Sequence, residues 1–355
     1  MNPILALVAV ASLASSEDLQ EVASFPSQQV SGVAVSKSGR IFVNFPRWSD
    51  NHTISVAEIV DGQPRPFPDE EWNKPGAPES HFVCVQSVYV DATDALWVLD
   101  PASPKFQGIV KGGPKLLKID LASNKVTQTI PFGEDVAPRK GYLNDIRIDA
   151  NAGRAYITES GQGAIIVVDL KSGKARRLLD AHKSTKAENG VKLRIDGREL
   201  VAGEAKSTPQ IHADGIALDA SSGYLYYHAL TGRTLYRIKT EHLNDENLSA
   251  SDLEAKVENL GETPSPDGML EAPDGSIYLA SIEDNSIARV NPATKQIDRV
   301  IQDKRLNWPD SLAWGPDGTL YITASQIHNM PGFNDGKDAR TEPYKVWKLA
   351  AGQKE

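Results

Sequence analysis

One short unit recurs six times along the chain, and this repetition limits the possible folds more than any other feature. Each copy begins with a polar residue and continues through an alternating apolar strand, a tight turn and an aromatic-rich strand. The two strands of each copy fall at residues 31–35 with 41–43, 86–90 with 96–98, 144–148 with 155–157, 214–218 with 225–227, 267–270 with 277–279, and 310–314 with 320–322. Repetition over such a period is typical of propellers and solenoids.

Further strands follow these pairs and decide between the two architectures. Third strands are predicted at residues 115–119, 164–169, 234–238, 286–290 and 345–349, and fourth strands at 126–130, 175–179, 257–260 and 297–301. Turns such as Ser222-Gly223 and Asp274-Gly275 carry the residues that hairpins require. Four antiparallel strands in each of six copies predict an all-β fold, a six-bladed β-propeller.

The two ends of the chain complement each other in this scheme. The sixth copy ends at Leu349 without a fourth strand, while residues 19–25 form a strand-like segment without a hairpin partner. We therefore expect this N-terminal strand to close the last blade. The closure would have to hold without a disulfide, because Cys84 is the single cysteine of the chain.

The first 16 residues have the pattern of a signal peptide, followed by a single domain at residues 17–355. An apolar run at residues 4–14 is too short to span a bilayer, and small residues mark a cleavage point at residues 14–16. The leader lacks Lys and Arg, so a simple apolar tail is the alternative interpretation. A signal peptide predicts that the protein is secreted or periplasmic.

Charge and motif content narrow the range of partners. The formal net charge is −9, and nothing provides the basic stripe that a phosphate backbone requires, so we expect no binding of nucleic acid. The sequence has no P-loop, dinucleotide fingerprint, HExxH motif or nucleophile elbow. We expect a monomer without a membrane span that binds a small molecule.

The leading polar residues of the six copies carry the most chemistry. They are Ser31, Gln86, Asn144, Asp214, Asp267 and Asp310. The innermost strand of each propeller blade begins near one face of the central channel, so these side chains are expected to converge there. Clustered carboxylates cannot all stay ionised without a cation, and Ca²⁺ accepts carboxylate and amide oxygens. The alternative interpretation is that the Asp and Asn side chains only cap the strand starts.

Other side chains are candidates for contacts at the channel mouth. His212 lies two residues before Asp214, and a histidine beside carboxylates can act as an acid or a base. The predicted substrate-binding residues are Gln86, Glu159, His228 and Trp48. For the two histidines and Glu159, a structural or solvated role is the alternative interpretation.

Several segments resemble the Yellow/major royal jelly protein family. They are residues 85–91 with 96–100, residues 143–146 with 156–160, and residues 307–312. The resemblance covers most of the chain after the leader. It implies a six-bladed propeller that is usually secreted, in a family whose insect members include cuticle-pigmentation proteins and salivary binders of biogenic amines. Family members often carry disulfides, which this chain cannot form internally.

A more distant similarity links the chain to the gluconolactonase and regucalcin propellers. Those proteins hold one divalent cation on the axis and open sugar lactones. Their ligands resemble Asn144 before an Asp, Asp214 before a Gly, and Asp267 within a Pro-Asp-Gly-Met segment. Ser31 stands where their first-blade Glu ligand is expected, and Asp310 would compensate from the neighbouring blade.

The first functional hypothesis is an exported lactonase-like hydrolase that depends on a divalent cation, expected to be Ca²⁺. The cation would polarise the lactone carbonyl and stabilise the developing oxyanion. Its predicted ligands are Asn144, Asp214, Asp267 and Asp310. Asp214 or Asp267 would activate the attacking water, and His212 is a weaker catalytic candidate.

The second hypothesis is a non-catalytic binding protein for a small polar or aromatic ligand. Loop aromatics such as Trp48, Phe106 and Phe333 would line the same mouth. Binding pockets of this kind are concave and mostly apolar, with a few oriented polar groups. A panel of amines and lactones, tested for both binding and turnover, separates the two hypotheses.

Overall fold

The repeated units fold into six four-stranded antiparallel sheets, which are the blades of a propeller. The computed structural model describes residues 18–180 and 182–350. The strands are β1 (Leu19–Phe25), β2 (Gly32–Val35), β3 (Ile41–Asn44), β4 (Val56–Val60), β5 (Gln63–Pro66), β6 (Ser87–Val90), β7 (Ala95–Asp100), β8 (Lys115–Asp120), β9 (Lys125–Pro131), β10 (Leu143–Asp149), β11 (Arg154–Glu159), β12 (Ala164–Asp169), β13 (Ala175–Leu178), β14 (Arg194–Ile195), β15 (Arg198–Glu199), β16 (Ala213–Leu218), β17 (Tyr224–Ala229), β18 (Thr234–Lys239), β19 (Glu258–Glu262), β20 (Pro266–Glu271), β21 (Ile277–Ser281), β22 (Ser286–Val290), β23 (Ile297–Gln302), β24 (Pro309–Trp314), β25 (Leu320–Ala324) and β26 (Tyr344–Leu349). The predicted fold is confirmed.

Blades 1 to 5 take four consecutive strands each, namely β2–β5, β6–β9, β10–β13, β16–β19 and β20–β23. The strands β14 and β15 form a separate small hairpin between blades 3 and 4. Helices are short and lie in connections: α1 (Glu70–Asn73), α2 (Thr240–Asn244) and α3 (Ala250–Glu254). None of the helices within the described ranges has the length and apolar character needed to cross a membrane.

Blade 6 is closed by the N-terminal strand, as the sequence predicts. Strand β1 pairs antiparallel with β26 as the outermost strand of the sheet that also holds β25 and β24. Leu19, Ala23 and Phe25 are buried in the core, whereas Gln20 is exposed. Burial of an apolar side chain the size of Leu or Phe contributes about 1.5–3 kcal/mol, so this strand holds the ring closed without a covalent link. The proposed signal peptide, residues 1–16, lies outside the described residues.

The core lies between neighbouring blades. Every residue of β10, an inner strand, is buried, whereas β9 at the outer edge of blade 2 alternates mostly between exposed and partly buried residues. One apolar cluster joins Trp97 of blade 2 to Ile146 and Ile157 of blade 3. The inner strands β2, β6, β10, β16, β20 and β24 contact one another in sequence, and β24 returns to β2. The residues that begin these strands are therefore brought around one axis.

A β-bulge changes the direction of the leading side chain in four of the blades. The antiparallel register shifts between Leu143 and Ile146 in blade 3, and at the equivalent places in blades 4, 5 and 6. A bulge sets two residues against one on the partner strand and turns a side chain out of the regular alternation. The residues placed within these bulges are Asn144, Asp214, Asp267 and Asp310.

The glycines that follow two of the aspartates allow neighbouring inner strands to approach closely. A Cβ on Gly215 would lie 2.5 Å from the backbone oxygen of Asp267. A Cβ on Gly268 would lie 2.1 Å from the backbone oxygen of Asp310. Because real Cβ atoms do not come so near to a carbonyl, the Asp-Gly pairs are required by the tight axial ring.

A buried arginine crosses the channel further along the inner strands. The Nη2 atom of Arg147 on β10 donates to the backbone oxygen of Met269 on β20 at 2.5 Å. Its guanidinium carbon also lies 5.3 Å from the ring centroid of Tyr89. Asp145 is buried nearby, and burial raises the pKa of that carboxyl. These contacts link the inner strands of separate blades beyond the leading residues.

Candidate ligand site at the propeller axis

Three of the leading residues form a hydrogen-bonded chain beside the axis. The amide nitrogen of Gln86 donates to Oδ1 of Asn144 at 3.1 Å, and the amide nitrogen of Asn144 donates to Oδ1 of Asp214. The carboxyl groups of Asp214 and Asp267 lie close enough for each to perturb the pKa of the other. All six leading residues are buried. The predicted convergence of these side chains is therefore present in the fold.

The axial carboxyl groups are weaker acids than an ordinary aspartate, because their pKa values are raised. Burial raises the pKa of Asp214 well above its ordinary value, and repulsion from Asp267 adds to the effect. Burial and the charge of Asp267 likewise raise the pKa of Asp310 well above the usual range. Burial raises the pKa of Asp267 to about 7, although the Trp308 hydrogen bond opposes the shift. At neutral pH this cluster must keep protons or accept a cation.

A cavity of about 670 Å³ opens onto this ring. Four of the leading residues line it, namely Gln86, Asn144, Asp214 and Asp267. Its walls carry aromatic side chains from separate loops: Trp48, Phe106, Tyr142, Trp308 and Phe333. The volume falls within the range of small-molecule sites, and the mixture of apolar walls with a few convergent polar groups is typical of them. The predicted lining by Trp48, Phe106 and Phe333 is present.

Tyr142 ties the aromatic wall to the polar ring. Its hydroxyl donates to Oε1 of Gln86 at 2.7 Å and accepts from Nε1 of Trp48 at 3.1 Å. The ring of Phe106 packs against both aromatic rings, 5.4 Å from Trp48 and 5.5 Å from Tyr142. The wall and the floor of the cavity are thus one connected structure.

Trp308 makes a second link between the aromatic wall and the floor. Its indole nitrogen donates to Oδ2 of Asp267 at 2.5 Å, and its ring stacks on His328 at a centroid distance of 5.7 Å. The Nε2 atom of His328 lies 3.2 Å from Oδ2 of Asp196 in the turn between β14 and β15. Tyr142 and Trp308 were not predicted from the sequence. Each lies two residues before a leading residue, and His212 occupies the same position in blade 4.

The two candidate histidines lie in hydrogen-bonded structural positions. His212 is half-buried, and its Nδ1 accepts from the backbone N–H of Ala187 at 2.8 Å. His228 is fully buried, donates to the backbone oxygen of Ala229 at 2.6 Å and accepts from the Thr263 hydroxyl at 3.1 Å. Burial lowers the pKa of His228 to about 4, so its ring is neutral. A catalytic role for His212 stays a prediction.

Glu159 is buried beneath the loop that carries Tyr142. Its carboxylate accepts from the backbone N–H groups of Tyr142 and Gly161, each at 2.7 Å, and pairs with Arg177 at 2.9 Å. These contacts use the oxygen atoms that a ligand would need. The structure brings Gln86 and Trp48 to the cavity wall and places Glu159 behind it.

Glu159→Gln should destabilise the protein. The amide oxygen can still accept the loop N–H groups, but the Arg177 charge loses its buried partner, so we expect a loss on the order of 1–3 kcal/mol of unfolding free energy. Urea unfolding measures the change. Glu258→Gln is the matched control, because its pair with Arg237 is more exposed and should be worth under about 1 kcal/mol. An equal or larger loss for Glu258→Gln would contradict this interpretation.

The axial donors have the chemistry of a hard-cation site, since carboxylate and amide oxygens suit Ca²⁺. Within residues 18–180 and 182–350, no three His, Cys, Asp or Glu side chains are disposed as a metal site. Asn144 turns its amide nitrogen toward Asp214, and its oxygen accepts from Gln86. In the described arrangement these donors are hydrogen-bonded to one another, and metal binding stays a prediction.

Sequence comparison places known relatives over most of the chain. The family model for major royal jelly proteins matches residues 83–349. Major royal jelly protein 1 of Apis mellifera is 25% identical over 270 residues, which cover 70% of this chain and 59% of the relative. Major royal jelly protein 3 of the same organism is 25% identical over 240 residues, covering 64% and 41%. The chain thus spans about half the length of these relatives.

Solved structures share the propeller fold. A gluconolactonase from Xanthomonas campestris superposes with a TM-score of 0.57 at 12% identity, covering 94% of this chain and 89% of that one. Regucalcin from Agrobacterium tumefaciens, described as a calcium-binding protein, gives 0.54 at 14% identity, covering 93% and 92%. At these identities the likeness extends to the fold alone. Both resemblances predicted from the sequence are confirmed.

Proposed function

We propose that this chain, which belongs to the major royal jelly protein family, binds a small ligand in its axial mouth. The observation that carries the proposal is that the aromatic wall is hydrogen-bonded to the polar floor. Trp308 contacts Asp267 directly, and Tyr142 contacts Gln86, from which hydrogen bonds lead through Asn144 to Asp214. A ligand with a cationic group would place it against Asp214 and Asp267. Its apolar body would lie against the rings of the wall, such as Trp48.

A cationic group suits the floor for a physical reason. Buried carboxyl groups that repel one another are stabilised by any positive charge that replaces their protons. The aromatic faces above them also attract cations, because their ring quadrupole is negative on the face. An arylalkylamine satisfies both regions at once, whereas a neutral apolar molecule of the same shape satisfies only the wall.

Calorimetry with para-methylbenzylamine and gluconolactone, on protein treated with a chelator, tests the proposal. We expect one amine site per chain. Trp48→Ala should weaken binding about tenfold, because a stacking and cation–π surface is removed. Trp72→Ala is the matched control: this tryptophan also packs on a ring, Phe82, but does not line the cavity. No amine binding by the native chain, or an equal loss in both variants, would contradict the proposal.

Hydrolysis of a lactone is the second candidate, and the set of oxygen donors at the floor favours it. A divalent cation held by Asn144, Asp214, Asp267 and Asp310 would supply a Lewis acid for the carbonyl. Asp267 or Asp214 would take a proton from the attacking water. Lactone turnover that a chelator and Asp267→Asn each abolish supports it, and turnover that survives both rules it out.

Export is part of the proposal, through the predicted signal peptide at residues 1–16. The single thiol suits an oxidising compartment, because Cys84 is buried and its surroundings raise its pKa to about 12. Such a thiol is protonated and unreactive. N-terminal sequencing of protein recovered outside the producing cell should begin near residue 17, and an intact leader would contradict export.

A further inference from the structure

The two ends of the axial cavity differ in their chemistry, one being acidic and the other basic. The buried floor has the carboxyl groups of Asp214 and Asp267, and the charged side chains at the opening are Lys105, Arg139 and Lys140. Apart from the two floor aspartates, no acidic side chain of the described residues lines the cavity. A molecule in the mouth therefore lies between an acidic end and a basic end.

Two of these cations are available to a ligand. Lys105 is ion-paired with Asp50. Among the described residues, no carboxylate forms an ion pair with Arg139 or Lys140, and both residues are exposed. Several other arginines of the propeller do pair with an acidic neighbour, as Arg154 does with Asp169. The opening thus presents positive charge that the protein itself does not neutralise.

The loop beside them is shaped to face the opening. Lys105 and Phe106 both have left-handed backbone angles, with φ of 54° and 56°. Residues other than glycine rarely adopt this conformation, and it costs free energy. The conformation leaves the Phe106 residue 55% exposed and its ring stacked on Trp48. An exposed aromatic ring and a basic rim meet at one place, above the acidic floor.

We infer, on the basis of the proposed function, that the mouth selects dipolar ligands. The ligand places a cationic group at Asp214 and Asp267, an aromatic or apolar body against the wall, and an anionic group such as a carboxylate at Arg139 and Lys140. The ligand class is thus an aromatic amine that carries a carboxylate at its far end.

The test compares para-(aminomethyl)benzoate and its longer phenylacetate and phenylpropanoate homologues with their carboxamides. Each pair has the same amine and nearly the same shape, and only the far charge differs. By calorimetry, the best-spaced carboxylate should bind about fivefold more tightly than its carboxamide, the strength of exposed ion pairs. High salt should abolish the preference, because exposed charges are screened.

Two double variants test whether Arg139 and Lys140 cause the preference for the carboxylate over the carboxamide. The double variant Arg139→Gln/Lys140→Gln should bind the carboxylate and the carboxamide equally. The control Lys171→Gln/Lys295→Gln removes the same charge from exposed sites outside the cavity and should keep the preference. Equal affinities in the native chain, or a preference that survives in the first double variant, overturn the inference and leave amine binding intact. If no member of either series binds, the proposed function fails and the inference fails with it.

Discussion

Asp267→Asn should make the protein more stable at about pH 8 and abolish its binding of arylalkylamines. Burial raises the folded-state pKa of Asp267 to about 7, whereas the unfolded chain has the ordinary value. As the pH rises through that interval, the unfolded state loses its proton first, so the stability of the native protein falls. The neutral amide does not ionise, and we expect a gain on the order of 1–3 kcal/mol that vanishes near pH 4.

Urea unfolding of both proteins across this pH range measures the difference. Asp169→Asn is a control of opposite sign, because hydrogen bonds from Ser172 lower the pKa of this partly exposed carboxyl. The amide that replaces the Asp267 carboxyl keeps an oxygen that can accept the Trp308 hydrogen bond, which limits any packing loss. A variant that is no more stable than the native chain at about pH 8, or a gain that does not depend on pH, would contradict the assigned burial cost.

Loss of the closing strand should be the most damaging change to the fold. Phe25→Ala is expected to lower the unfolding free energy by about 3–5 kcal/mol, because it opens a cavity beside Phe45, whose ring lies 4.9 Å away. Gln20→Ala in the same strand should change it by under about 0.5 kcal/mol, since this side chain is exposed. Calorimetric melting of both variants provides the measurement.

Removal of residues 19–25 extends the same test. Without β1, strand β26 becomes an uncovered edge, and the apolar side chains of blade 6 are exposed. The melting temperature should fall by more than it does in Phe25→Ala. An unchanged melting temperature would mean that the ring does not depend on this closure.

The repeat itself made the fold and the axial ring predictable. A residue at a fixed place in each copy occupies the same place in each blade, so the convergence of Asn144, Asp214 and Asp267 follows from periodicity. The close backbone contacts at the glycines that follow Asp214 and Asp267 do not follow from the periodicity. Positions 215 and 268 require glycine, because a Cβ at either would collide with the backbone of the adjacent inner strand. This close approach is seen only in the closed ring.

The environments of the other candidates depend on the variable outer strands. Glu159 and His228 lie at the ends of second strands, where the sequence leaves their roles open. Their partners are Arg177 on β13 and Thr263 directly after β19, at positions that no repeat marks. Glu159 and His228 are buried and bonded to these partners, so their contacts in the fold are structural. A search of the positions two residues before each leading residue would have found Tyr142 and Trp308.

The central claim is that the carboxyl groups of Asp214 and Asp267, from two separate blades, act as one cation-accepting floor, with Asp310 close enough to feel the charge of Asp267. Carboxyl ¹³C NMR of aspartate-labelled protein, assigned through single Asp→Asn variants, tests it most directly. On addition of para-methylbenzylamine, the signals of Asp214, Asp267 and Asp310 should shift together with one dissociation constant, while that of Asp169 stays in place. Signals that shift independently of one another, or that do not respond to the amine, would contradict the claim.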